Sequence, residues 1–295
     1  MNEMSFAIES IINLTRYPIH LPQSDVTQRF LLDAHEQWLA DGIFALKGFV
    51  FADAIERIVG ELRPQIDASA MCQCNVQHNI YQFDDADPFY GAQHPRNIKM
   101  HSKFYNLPSD QIASASLLRR IYEWPSMTRF VSSLVFGAVG RRLHHFADPL
   151  ASLTCNVLLD GDTVDWHFDE APFTVILLLQ NAEVGGEYEV APETLLSNGT
   201  FDYALHSAVI REESAATNSY RFSAGDLIIH RGTHSIHRVT TVFGATPRIT
   251  ALFEYAPRPK MTLSPTVRQS TYCRTQPLKH CDARTEALHF TVSNS

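Results

Sequence analysis

The residues best placed to do chemistry are His167 and Asp169, separated by one residue in the segment Trp166-His167-Phe168-Asp169. On a β-strand, positions i and i+2 project from the same face, so H-x-D sets an imidazole beside a carboxylate at metal-ligand distance. Adding a second histidine completes one face of an octahedron. Three positions on a divalent metal then stay open for exchangeable ligands. The third ligand must come from a strand returning to the same end of the fold, and His230, His234 and His237 are all candidates. His237 is preferred because it heads a strand-like stretch, directly before Arg238-Val239.

H-x-D alone is weak in a chain with 14 histidines, where chance supplies roughly one instance. A second copy, His280-Cys281-Asp282, lies near the C-terminus with only His289 after it, and reads as an exposed tail. What raises the first copy is the order of groups around it. Arg248 begins a strand after the Gly244-Ala245-Thr246-Pro247 turn, and pairing of neighbouring antiparallel strands would set its guanidinium beside His237. A permanently charged planar fork there suits the far end of a dicarboxylate. Thr250, two residues on, faces the same way and offers a hydroxyl.

Positioning these groups requires a β-rich second half. From about residue 153 short strands alternate with turns: SLTCNVLL, TVDWHF, FTVILLL, EYEVAP, GDLIIH, SIHRVTTVF and RITALFEYA. Such spacing predicts a jelly-roll (cupin-like) barrel of two sheets. The first half reads as mainly helical. Ser24-Asp25 caps a helix to about Ala40, Ile43–Phe49 forms a strand, and Asp53 opens a helix through Leu62. Ser109-Asp110 caps a helix to about Tyr122, and Pro125 starts another ending near Gly137. The expectation is one α+β domain over 1–295, with helices packed on one sheet. Within it, 1–150 is a mainly helical support, 151–257 the jelly-roll core and 258–295 a C-terminal extension.

The stretch from about Cys155 to Tyr255 resembles the iron(II)/2-oxoglutarate-dependent dioxygenase superfamily. The resemblance rests on WHFD at 166–169, GGEYEVAP at 185–192, AGDLIIHRGTHSIHRV at 224–239 and PRITALFEY at 247–255. It implies a double-stranded β-helix in which His167, Asp169 and His237 hold iron(II). It also implies that Arg248 and Thr250 bind the cosubstrate 2-oxoglutarate, with Asn156 as a further contact that could equally be a sheet amide. The activity implied is O2-dependent oxidation with release of succinate and CO2. Halogenating members of the superfamily replace the carboxylate ligand by a small residue, so Asp169 argues for hydroxylation, with desaturation or cyclisation using the same oxidant.

Bulk properties limit the substrate. The 295 residues carry 24 Lys and Arg against 32 Asp and Glu, a net charge of −8, which disfavours nucleic acid and anionic membranes as partners. There is no long apolar run and no basic leader, and the five cysteines form no C-x-x-C pair, so free thiols in a cytoplasmic protein are expected. A small-molecule substrate such as an amino acid or natural-product intermediate fits best. Cys74, His78, Asn79, Tyr81, His101 and Tyr105 are candidate contacts. The rival readings are the same chemistry on a protein or carrier-tethered substrate, a barrel that binds metal or ligand without turnover, and a zinc hydrolase. The last lacks an H-E-x-x-H helix.

Overall fold

The computed structural model describes residues 7–67, 71–82, 86–137, 140–191, 200–213 and 217–278. The second H-x-D copy, Cys281 and Pro192 lie outside them. Helix α1 (Asp25–Asp41) starts where Ser24 accepts a hydrogen bond from the Thr27 amide and stops at Gly42, whose φ of 70° ends the helical path. Strand β1 (Ile43–Leu46) and helix α2 (Ala52–Asp67) follow, the latter burying Ala54, Ile55, Ile58 and Leu62 along one face. Strands β2 (Cys72–His78) and β3 (Met100–Leu107) then precede helices α3 (Leu117–Glu123) and α4 (Pro125–Phe136).

One expectation for this half needs correction. The helix expected from Ser109-Asp110 is a single 3-10 turn at Ser109–Gln111, and Ser116 caps α3 instead. Ser109 is buried against Ser152, and Asp110 holds Arg274, so neither is free to cap. The regular structure of 1–150 is mainly helical, but β1, β2 and β3 also join the large sheet. The side chains of β2 and β3 are largely polar, and only Cys72 and Cys74 are buried on β2.

The remaining strands are β4 (His144–His145), β5 (Leu153–Leu158), β6 (Val164–His167), β7 (Thr174–Gln180) and β8 (Tyr188–Ala191). Helix α5 (Tyr203–Ile210) leads to β9 (Asn218–Tyr220), β10 (Leu227–His230), β11 (Ile236–Val239), β12 (Arg248–Phe253), β13 (Tyr255–Ala256) and helix α6 (Pro265–Tyr272). Seven strands form one sheet in the order β1-β10-β7-β12-β5-β3-β2, and four form another, β6-β11-β8-β9. Every named pairing is antiparallel.

One face of the large sheet, through Val157, Val175, Leu177, Ile229 and Ala251, packs on Ile58, Leu62, Leu118 and Phe130 of the helices. Each fully buried side chain of this size stabilises the fold by about 1.5–3 kcal/mol. The opposite face meets the small sheet through Leu158, Leu178 and Ile228 against Tyr188, Val190 and Val239. Strand β7 is covered on both faces, which explains its unbroken apolar run TVILLL. No helix among the described residues is long and apolar enough to cross a membrane.

The expectation of free thiols fails for one pair: Cys72 on β2 and Cys273 just after α6 form a disulfide. Cys74 and Cys155 are free and buried. The partners are 201 residues apart in sequence, so no local spacing announces the bond.

Candidate metal centre

His167 closes β6, and its register partner on β11 is His237, so the two imidazoles stand side by side with ring centroids 4.2 Å apart. Asp169 lies beyond the strand. Its amide donates to the Gly232 carbonyl at 3.0 Å, which ties it to the loop between β10 and β11. Gly232 must be glycine here, because a Cβ would overlap the Asp169 carboxylate. The carboxylate Oδ1 lies 3.5 Å from His167 Nε2 and 3.4 Å from His237 Nε2. The ligand-capable atoms of all three residues fall within 4.8 Å of one another, a group that could hold a metal ion.

The tautomers are set by the backbone. His167 Nδ1 donates to the Asp165 carbonyl at 2.8 Å, and His237 Nδ1 to the Ser235 carbonyl at 3.0 Å. Each Nε2 therefore presents its lone pair to the centre. The second carboxylate oxygen of Asp169 accepts from Thr174 Oγ at 2.7 Å, while Oδ1 faces the two imidazoles. Burial alone would raise the Asp169 carboxyl, but His237 and His167 hold it well below the ordinary range. A metal bound there would meet two imidazole nitrogens and one carboxylate oxygen.

Arg248 reaches the same cavity from the other side. It does not sit on a strand next to His237, as expected: β11 belongs to the small sheet and β12 to the large one. The two face each other across the interior, which is why one cavity of about 100 Å³ touches the triad, Arg248, Thr250 and Asn156 together. Thr250 and Asn156 are register partners on β12 and β5. The guanidinium of Arg248 is 5% exposed and donates Nε–H to the Gly186 carbonyl at 3.0 Å. It has no carboxylate within ion-pair distance among the described residues, and burial pushes its pKa down to about 10. Gly186 is doubly constrained, by a φ of +71° and by Arg248, whose Cδ would lie 2.8 Å from an added Cβ. The Oδ1 atom of Asn156 is buried with no hydrogen-bond partner among the described residues.

Of the other histidines, His230 is fully buried with its ring edge-on to His237 at 4.6 Å, and Tyr188 OH meets its Nδ1 at 2.8 Å. Its Nε2 has no partner, and it stands outside the ligand group. His234 contacts Thr233 in the loop. Among the expected substrate contacts, His78 turns its ring towards His167 at 6.3 Å, whereas Tyr105 packs with the helical core and His101 binds Asn75 at the surface. Tyr81 pairs with buried His206, Asn79 accepts from the Tyr81 amide, and Cys74 contacts the Thr271 carbonyl. Thr174 and Gly232, which fix Asp169, were not anticipated from the sequence; Thr174 carries a faint signal as the hydroxyl opening the strand after the ligand.

The sequence model of the family described as Halogenase D matches residues 93–272, more than half of the chain. No curated protein matches it in sequence. Among solved structures, AviO1 from Streptomyces viridochromogenes Tue57 superposes with a TM-score of 0.51 at 15% identity, covering 79% of this chain and 97% of that one. The non-heme alpha ketoglutarate dependent epimerase SnoN from nogalamycin biosynthesis gives 0.50 at 15% identity, covering 77% and 83%. A 2OG-Fe(II) oxygenase family oxidoreductase from Burkholderia pseudomallei gives 0.47 at 17%, covering 78% and 92%. The chain belongs to the Halogenase D family, and AviO1 and SnoN share its fold.

Proposed function

We propose that the protein is a non-haem iron(II)- and 2-oxoglutarate-dependent oxygenase that hydroxylates an unactivated C–H bond of a small metabolite. Its two facing sheets would form a double-stranded β-helix, within one domain that includes the C-terminal extension. The observation that carries the reading is Arg248, a buried guanidinium with no carboxylate in ion-pair distance among the described residues, facing a cluster of two histidines and one aspartate across a shared cavity. A buried cation of this kind is costly unless an anion joins it, and a dicarboxylate spanning metal and arginine would do so. The unpartnered Asn156 Oδ1 fits a protonated or water-bridged ligand oxygen at the same place.

In this reading His167 Nε2, His237 Nε2 and Asp169 Oδ1 hold the iron, and Arg248 with Thr250 holds the far carboxylate of 2-oxoglutarate. Bound iron, cosubstrate and O2 supply the oxidising power, with succinate and CO2 as by-products. The chain supplies the rest. Asp165 and Ser235 carbonyls lock both imidazoles, Thr174 donates to the Asp169 carboxylate, and the Gly232 carbonyl accepts from the Asp169 amide. Leu158, Val164, Ile176, Val239 and Leu252 keep water from the cavity walls.

Anaerobic addition of iron(II) and 2-oxoglutarate tests the reading. A visible charge-transfer band is expected, lost in His237→Ala. No band in the wild type would favour a barrel that binds without turnover. The family match supplies a second reading, halogenation. Asp169 stands where a halide would need an open position, so the product is expected to be heavier by one oxygen atom whether or not chloride is present. A chlorinated product would reverse that assignment.

A further inference from the structure

The bond between Cys72 and Cys273 has two unlike ends. Cys72 is 6% exposed, whereas Cys273 lies at the surface, just past the last turn of α6. Cys273 also takes the left-handed conformation, with a φ of 58°, which residues other than glycine seldom adopt. A disulfide with one exposed sulfur is open to an external thiolate, and exposed bonds are the more readily reduced ones.

The bond also stands in a particular row of the large sheet. Register pairs Cys72 with Asn106, Asn106 with Asn156, and Asn156 with Thr250, across β2, β3, β5 and β12. Residues directly opposite one another share a face. Asn156 and Thr250 line the metal cavity, so Asn106 and Cys72 continue the same inner face beyond it. Strand spacing puts Cys72 about 10 Å from Asn156.

At that end the inner face is covered by α6. The Thr271 carbonyl accepts from the Asn106 amide at 3.1 Å and from Cys74 Sγ at 3.7 Å. Cys74 is buried there, and burial pushes its thiol up to about 11, which keeps it protonated. Of the eight residues of α6, only Tyr272 is buried. Ion pairs of Arg268 with Asp148 and of Arg274 with Asp110 add polar ties. A short helix with one buried side chain has little intrinsic stability, so its covalent tie to β2 carries much of the hold.

We propose that Cys72–Cys273 is an exchange site for a dithiol reductant, and that reduction lifts α6 from the inner face beside Asn156. One thiolate of the reductant attacks Cys273 Sγ. The S–S bond breaks, and its electron pair leaves on Cys72 Sγ, which takes up a proton. The second thiolate then displaces Cys273 from the mixed disulfide and closes the reductant's own disulfide, and Cys273 takes up a proton. The protein gains two electrons and two protons, and the dithiol loses them. The redox state of the pair thereby sets whether the face next to the cavity is covered by α6 or open to water.

Two other cysteines supply the test. Cys74 lies under α6, whereas Cys155 on β5 is buried on the opposite face, among the helices. Full-length, metal-free protein is incubated with dithiothreitol, pulsed with N-ethylmaleimide and mapped by peptide mass. Labelling of Cys74 should rise at least ~10-fold in step with that of Cys72 and Cys273, while Cys155 stays protected. The double variant Cys72→Ser/Cys273→Ser should label at Cys74 at the raised rate without reductant. Cys74 still protected after Cys72 and Cys273 are reduced overturns the proposal, because the helix then stays in place without the bond. Labelling of Cys155 alongside Cys74 in either protein also overturns it, since the bond then holds the whole fold. So does a bond that dithiothreitol leaves intact in the folded protein. No readout involves iron or 2-oxoglutarate, so the outcome is separate from that of the oxygenase reading.

Discussion

The small sheet meets the cavity through strand ends and a loop, whereas the large sheet meets it through alternate residues of one strand, β12. Asp169 leaves β6 to bond with Gly232, and the β6–β11 ladder is irregular between His237 and Val239. By contrast, β12 runs in unbroken register along β5 from Arg248↔Leu158 to Phe253↔Leu153. The difference follows from what each side must do. In the proposed function three ligands have to converge on a point from different backbone directions, which a flat pleat does not allow. Groups that grip an extended molecule need a fixed separation along one face, which a pleat supplies directly. Precision is therefore built by loops on one side and by register on the other.

If that division holds, damage to the two sides should differ in kind. Asp169→Ala removes a ligand and should abolish iron-dependent succinate release, a loss of about a thousandfold or more, since metal catalysis contributes several kcal/mol. Persistent turnover would move the metal away from the small sheet. Arg248→Ala should leave the iron site in place but raise the 2-oxoglutarate requirement by roughly 30-fold or more, the equivalent of about 2–5 kcal/mol for a buried charge pair. A kcat effect with unchanged requirement would contradict a gripping role. Gly232→Ala probes the loop, because the added methyl must displace Asp169. Iron affinity should fall by about 10- to 100-fold while the circular dichroism spectrum is unchanged.

The smallest expected effect concerns the far end of β12. Glu254 has a folded-state pKa of about 7 against an ordinary value of 4.5. Its contribution to stability is therefore full below the ordinary value and is lost as pH rises through the folded one. Urea melts of the wild type should weaken across that window relative to Glu254→Gln, by a total on the order of 1–3 kcal/mol. Parallel pH profiles would mean that the carboxylate is well solvated.

The sequence was informative where side-chain spacing and backbone geometry coincide. Apolar runs marked β5, β7, β10 and β12, and the two-residue step from Arg248 to Thr250 put both into one cavity. It was silent where contacts join distant segments. Nothing near Arg248 tells which sheet its strand enters, so its approach to His237 from the opposite wall could not be read. Strands β2 and β3 are polar enough to pass for loops, and Ser109 looked like a cap although Ser152 occupies its hydroxyl. The clamp on Asp169 depends on Gly232, far along the chain, and on Thr174.

The bond between Cys72 and Cys273 turns most of the molecule into a covalent ring. All three ligands, Arg248 and Glu254 lie inside it, and so do both cavity walls apart from β1. Closing a loop of this length restricts the unfolded chain by about 5 kcal/mol in the entropic account. A single backbone cleavage anywhere inside the ring would open it without releasing a fragment, so every wall strand it encloses would remain attached to its partners.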